Sequence, residues 1–169
     1  MGVDDELFGL TPGRDLSVWI ASSYPRVGAG GGPFVALKDW SPSATSTGWT
    51  LLSSPYLGGP SAVVSDGASV AYDPAPMASD GHINLSGLQV DADAQTIQSV
   101  TNGTTSGSPV SYSALGSLFT PGLELTVAGY SDNAVQGPSF ALASLVVFDR
   151  TLTPEEISRL STELGLAES

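Results

Sequence analysis

This 169-residue chain has no cysteine, a single histidine and only five lysines and arginines together. Without cysteine there is no disulfide framework, thiol nucleophile or thiolate metal site, yet a chain of this length hides enough surface to fold around one core unaided. Seventeen acidic residues bring the formal charge to −12, which excludes a phosphate-tracking surface and makes nucleic acid a poor partner. No run is long and apolar enough for membrane insertion. The opening residues, MGVDDELFGLTPG, carry acids where a secretory leader carries basic residues, so if Met1 is the native start the expectation is a protein that either stays inside the cell or leaves it without a cleaved leader, as virion components do on lysis.

What is present suits short strands joined by many turns. Only 13 % of residues are charged, while glycine (20) and proline (12) punctuate the chain. Residues 1–14 set Leu7, Phe8 and Leu10 among acids and a Thr11-Pro12-Gly13 turn, the makings of an edge strand or of an arm that docks on a partner. At 15–21, Leu16, Val18 and Ile20 alternate with Ser17, Trp19 and Ala21, which predicts an inner strand with Trp19 on its other face. The GAGGGP stretch at 28–33 must be a loop. No Lys-Ser/Thr follows it, and strand residues rather than a helix come next, so it is no phosphate cradle.

Further strands are expected at 34–37, 49–53, 62–65 and 69–72, with Asp66-Gly67 turning a hairpin between the last two. Residues 73–81, with two prolines, read as a connection. INLSGLQV at 83–90 predicts a strand bulged at Gly87, and 96–100 another that enters the Asn102-Gly103 turn. Leu123, Leu125 and Val127 alternate with Glu124, Thr126 and Ala128 in one more strand.

The chain is organised around its C-terminal unit. Residues 141–148 (ALASLVVF) are nearly all apolar and end in a β-branched, aromatic run, which predicts a strand covered on both faces. Thr153 then stands as N-cap, with Pro154 at the first helical position and Glu156 at the spacing of a reciprocal capping box. Leu152 and Ile157 occupy the staple positions; Ile157, Leu160 and Leu164 share one face, and Gly165 supplies the stop. A helix over 153–164 is therefore expected to pack back onto the strand.

Gly137, the apolar run 142–148 and Asp149-Arg150-Thr151-Leu152-Thr153-Pro154-Glu155-Glu156-Ile157 together resemble the closing segment of concanavalin A-like, laminin-G-like jelly-roll domains, of the kind found in bacteriophage virion proteins. The alternating strand at 123–127 resembles the one these domains place before that unit, and 104–121 fits their variable segment. The resemblance implies an all-β, two-sheet antiparallel jelly-roll sandwich with one short C-terminal helix. The strands read along the chain come to about eleven to thirteen, the arithmetic of such a sandwich, and the length suits a single domain over 1–169. Lectins, adhesion modules, glycosidases and viral surface proteins share that fold, so it does not name an activity.

Candidate chemistry is sparse. A glycosidase needs two carboxylates across the scissile bond, and the Glu-x-Asp-x-x-Glu strand that supplies them on this fold is missing. Glu124 stands alone, while Glu155 and Glu156 suit the helix N-terminus and its unpaired N–H groups. His82 has neither a nucleophile nor an orienting partner that the sequence can name. Asp91 and Asp93 offer calcium two oxygens without the spacing of a dedicated loop; a solvated acidic turn is expected, and no cofactor is assigned. Asp149 and Arg150 match the family's Asp-Arg pair, whose guanidinium is expected to bridge carboxylates or carbonyls where Thr153 and Glu156 open the helix.

Sugar recognition combines stacking on an aromatic face with amide and carboxylate groups on hydroxyls, which points to Trp40 and to Tyr130, Asp132 and Asn133 as ligand contacts. Core packing is the competing role for any single Trp. The expectation is a non-catalytic virion-surface module, a head-decoration or tail accessory protein that binds capsid or tail proteins and adheres to host-envelope glycan. Homo-oligomers are compatible with it. The alternative is a lectin or adhesion domain of a bacterial secreted or cell-surface protein; both place the chain on a virion or outside the cell.

Overall fold

Alternation along one strand creates two cores. The computed structural model describes residues 14–23, 32–38, 47–54, 59–74, 82–105, 107–118, 125–127 and 141–166. In it β1 (Leu16–Ser23) sends Leu16, Val18 and Ile20 to one side and Trp19 to the other, and all four are buried. The next strands are β2 (Gly32–Lys38), β3 (Thr47–Ser54), β4 (Gly59–Asp66), β5 (Val70–Pro74) and β6 (Ile83–Asp91). β7 (Thr96–Thr101), β8 (Thr104–Thr105), β9 (Val110–Ser111), β10 (Leu125–Val127) and β11 (Ala141–Phe148) follow, and α1 (Pro154–Glu163) closes the described chain.

These strands form two antiparallel sheets. The six-stranded one runs β11-β1-β6-β7-β8, with β9 also on β7, and the five-stranded one runs β10-β2-β3-β4-β5. Between them Leu16, Val18, Ile20, Leu88, Val90 and Ile97 meet Trp49, Leu51, Ala62, Val64 and Ala71. Each Val, Leu or Ile side chain among them contributes about 1.5–3 kcal/mol on burial. The result is a β-sandwich with one short C-terminal helix. No helix among the described residues is long and apolar enough to cross a membrane.

On the outer face of the six-stranded sheet, Trp19, Leu85 and Val100 receive Leu152, Ile157 and Leu160 from the C-terminal unit, with Val146, Phe148, Leu164 and Leu166 around them. Gly87 sits opposite Trp19. A Cβ at Gly87 would lie 2.3 Å from Trp19 Cε3, so the indole needs a bare backbone beneath it. The bulge expected at Gly87 is absent: β6 keeps continuous register with β1 and β7 there. The irregularity falls instead between Ala21 and Ser22, against β11.

β11 reads differently from the expectation too. Leu145 and Val147 do face the inter-sheet core, and Val146 and Phe148 the helix cluster. Among the described residues, however, it is an edge strand, exposed over 141–143 and half-buried from Ser144 to Phe148. An apolar run signals two covered faces and says nothing of the lateral neighbour. The Asn102-Gly103 turn forms as expected, with φ of 49° and 76° in the left-handed pair a two-residue hairpin requires.

Candidate functional site

The two ends of β6 mark two chemically different rims. At the Asp91 end, Asp15 Oδ1 accepts from Ala92 N at 2.9 Å, and Asp91 Oδ1 accepts from Ala94 N at 2.8 Å. Tyr112 docks on the same turn by donating its N–H to Gln95 O at 2.8 Å. Burial, then the nearby Asp91 and Asp15 charges, push the Tyr112 phenol up from its usual pKa. Four residues on, Gly116 N donates to Asp66 Oδ2 at 2.7 Å, while Asp66 Oδ1 accepts from Ala68 and Ser69. One hydrogen-bonded chain thus joins the start of β1, the β6–β7 turn, the 112–118 segment and the β4–β5 turn into an acidic rim bearing Asp15, Asp66, Asp91 and Asp93.

The opposite rim is built from amides. Asn102 Oδ1 accepts from Leu85 N at 2.9 Å and its Nδ2 donates to Asn84 Oδ1 at 2.8 Å; Asn84 Nδ2 donates on to the carbonyl of His82 at 3.0 Å. His82 itself is exposed. Behind this rim, between the sheets, Ser22 and Thr101 are buried, and among the described residues neither hydroxyl has a hydrogen-bond partner. A buried hydroxyl without a partner carries its full desolvation penalty. Thr101→Val, which keeps the shape and removes the group, is expected to raise stability by about 1 kcal/mol in urea denaturation; a loss would show that the hydroxyl is satisfied in solution.

The strand-to-helix corner gathers the other residues named from sequence. Arg150 donates Nη1 and Nη2 to Glu156 Oε2 and Oε1 at 2.8 and 2.7 Å, gives Nη1 also to Thr151 O, and lies 5.9 Å from the centroid of the Phe148 ring. Glu156 Oε2 accepts from Thr153 N while Thr153 Oγ1 accepts from Glu156 N, the full capping box. Ser17 Oγ donates to Arg150 O, and Gln89 Oε1 accepts from the buried Leu152 N, so β1 and β6 both hold the corner. Leu166 N to Ser161 O and Gly165 N to Thr162 O end the helix in a Schellman motif. Asp149 is exposed beside this corner. Trp40, Tyr130, Asp132 and Asn133 lie outside the described residues.

Two carboxylates, Asp66 at the acidic rim and Glu156 at the strand-to-helix corner, contribute to the acid response. Backbone N–H groups of Gly116, Ser69 and Ala68 hold Asp66 down to about 2, and Arg150, then the Thr153 backbone, hold Glu156 down to about 2. Lowered pKa values mean that their contribution is complete above the ordinary values of 3.8 and 4.5 and is lost as pH falls towards 2. The melting temperature is expected to fall through that window, and less steeply in an Asp66→Asn/Glu156→Gln variant. Parallel wild-type and variant profiles from pH 5 to about 2 would remove both groups from the account.

Among the described residues no group of three or more His, Asp or Glu could hold a metal ion, and Asp91 and Asp66 already serve backbone N–H groups. Spacing alone could not have revealed the Asn84–Asn102 clasp or the docking of Tyr112, since the partners lie 17 to 21 residues apart.

No protein-family model and no curated protein matches the chain. Solved structures do. A Trypanosoma rangeli sialidase in complex with sialic acid aligns with a TM-score of 0.59 at 15 % identity, over 91 % of this chain and 24 % of that one. The Ruminococcus gnavus IT-sialidase CBM40 bound to α2,3-sialyllactose aligns at 0.64 and 12 %, over 85 % and 80 %. The binding domain of botulinum neurotoxin serotype D aligns at 0.64 and 11 %, over 96 % and 38 %. These likenesses show a shared fold. The chain spans about a quarter of the length of the sialidases it matches.

Proposed function

We propose that this chain is a non-catalytic carbohydrate-binding module, related in architecture to the laminin-G-like and concanavalin A-like sandwiches. The observation that carries this reading is its extent: the alignment spans 85 % of this chain and 80 % of a CBM40 module solved with a bound sialoside. Helix α1 and Leu152 cover the Trp19 face of the six-stranded sheet, so a sugar is received at a rim or on the five-stranded sheet. Trp40 is the proposed stacking face, with Tyr130, Asp132 and Asn133 taking hydroxyls.

The setting we favour is a virion surface, as a bacteriophage head-decoration or tail accessory protein that adheres to host-envelope glycan; the cysteine-free, acidic composition supports it. A lectin or adhesion domain of a bacterial secreted or cell-surface protein fits the same observations. Titration of a glycan panel followed by tryptophan fluorescence tests the binding function, with loss of response expected in Trp40→Ala. Silence across a broad panel sinks it. Co-sedimentation with particles, or its failure, separates the two settings.

A further inference from the structure

Asn102-Gly103 is the one asparagine-glycine pair in the chain. Asparagine is thermolabile where a glycine follows it, because the next backbone nitrogen can reach the side-chain amide and no Cβ on that residue obstructs the approach. The fold presents this pair openly. Both residues are exposed at the tip of the β7–β8 hairpin, and a Cβ placed on Gly103 meets nothing within 4 Å. The amide is polarised as well. Asn102 Oδ1 accepts from Leu85 N at 2.9 Å, so a fixed donor already stands at the oxygen on which negative charge develops when the amide carbon is attacked. The other asparagines, Asn84 and Asn133, precede Leu85 and Ala134, whose side chains crowd that approach. Asp66-Gly67 is protected in another way: backbone N–H groups of Ala68, Ser69 and Gly116 hold its carboxylate ionised, and a carboxylate anion resists attack.

We propose that Asn102 is a site of spontaneous deamidation and that its product unlocks the amide rim. Gly103 N loses its proton to solvent and bonds to Asn102 Cγ; the Cγ–Nδ2 bond breaks, and the nitrogen leaves as ammonia. Water then opens the five-membered imide. Opening at Cγ leaves an aspartate side chain, and opening at the backbone carbonyl carbon leaves an isoaspartyl linkage in which the main chain runs through Cγ. The reaction needs only water and stands apart from carbohydrate binding. The rim cannot absorb its product. Asn102 Nδ2 donates to Asn84 Oδ1 at 2.8 Å, and a carboxylate oxygen in its place has no proton to give, so two acceptors face each other. Asn84 cannot turn its amide round, because its Nδ2 is held at the His82 carbonyl, 3.0 Å away. The isoaspartyl form disturbs more. Asn102 meets Leu85 twice, N to Leu85 O at 2.8 Å and Oδ1 to Leu85 N, and moving Cγ into the main chain breaks that pair. Leu85 packs with Trp19 beneath the helix, so a change that begins at the rim reaches the outer core.

The test is incubation of the full chain in warm, mildly alkaline buffer, beside the same chain unfolded in urea, followed by peptide mapping with mass spectrometry and isoaspartate detection. Conversion is expected at Asn102 and not at Asn84 or Asn133, with ammonia released in step. The converted chain should melt about 4 °C lower than the unconverted one and exchange its Leu85 amide faster. Asn102→Asp, made directly, should reproduce most of that shift, and it should lose less in an Asn84→Ala background, where no side-chain oxygen faces the carboxylate. An Asn102 that stays intact in the folded chain after the unfolded chain has converted overturns the proposal. So does a converted chain that keeps the original melting temperature and Leu85 protection.

Discussion

Gly87→Ala is expected to destabilise the fold by about 3 kcal/mol, a fall of roughly 6–12 °C in melting temperature for a domain of this size. The new Cβ would stand 2.3 Å from Trp19 Cε3 and 2.5 Å from Cζ3, well inside contact distance. Neither partner can give way easily. Gly87 is on a central strand, paired with Trp19 on one side and Val100 on the other. Trp19 is fully buried under Leu152, Ile157 and Leu160, so displacing the ring also lifts the helix. The cause can be isolated with Trp19→Leu, which removes the ring and by itself costs stability through lost burial. In that background Gly87→Ala should add less than about 1 kcal/mol, and a double-mutant cycle in urea should show strong coupling. Equal costs in both backgrounds would mean that the glycine serves the backbone and not the indole.

That pair also shows what a sequence can and cannot disclose. Residues 16–21 announce a strand with Trp19 turned away from the core, because a period of two is a local property. The capping box and staple around Thr153 are equally local, and the helix forms where they place it, with Leu152 and Ile157 in one buried cluster. The role of Gly87 depends on what stands 68 residues earlier on a neighbouring strand, and glycine in a strand signals a bulge as readily as a close approach. For the same reason ALASLVVF disclosed its two covered faces but not its lateral edge. The acidic rim was partly legible: Asp66-Gly67 marks a turn, yet nothing local ties Asp66 to Gly116, 50 residues on. The sugar contacts named from aromatic and amide chemistry, Trp40 and Tyr130 to Asn133, fall outside the described residues.

Ser99→Ala carries the second large effect, an expected loss of about 2–3 kcal/mol from the removal of one hydroxyl. β8 pairs with Val100 and Thr101 and β9 with Thr96 and Ile97, so Ser99 stands between the rungs on the far side of β7. Asp73, buried at the end of β5 in the other sheet, fills that gap: its Oδ2 accepts from Ser99 N at 2.6 Å. The Ser99 hydroxyl completes the stitch by donating to Asp73 O and accepting from Ala62 N at 2.7 Å. Two strands of one sheet are thereby fastened to a strand of the other through a single Oγ. Alanine at this position leaves the Ala62 N–H and one Asp73 acceptor buried without that partner, and an unpaired buried group costs far more than a hydrogen bond contributes net. The substitution should also raise amide exchange at Ala62 above that of core amides in β3, a local opening that a mere loss of packing would not produce. Combining it with Asp73→Ala should cost less than the two changes summed, since both break one network. Wild-type stability with a still-protected Ala62 amide would show that the sheets are held together elsewhere, by the apolar core between them alone.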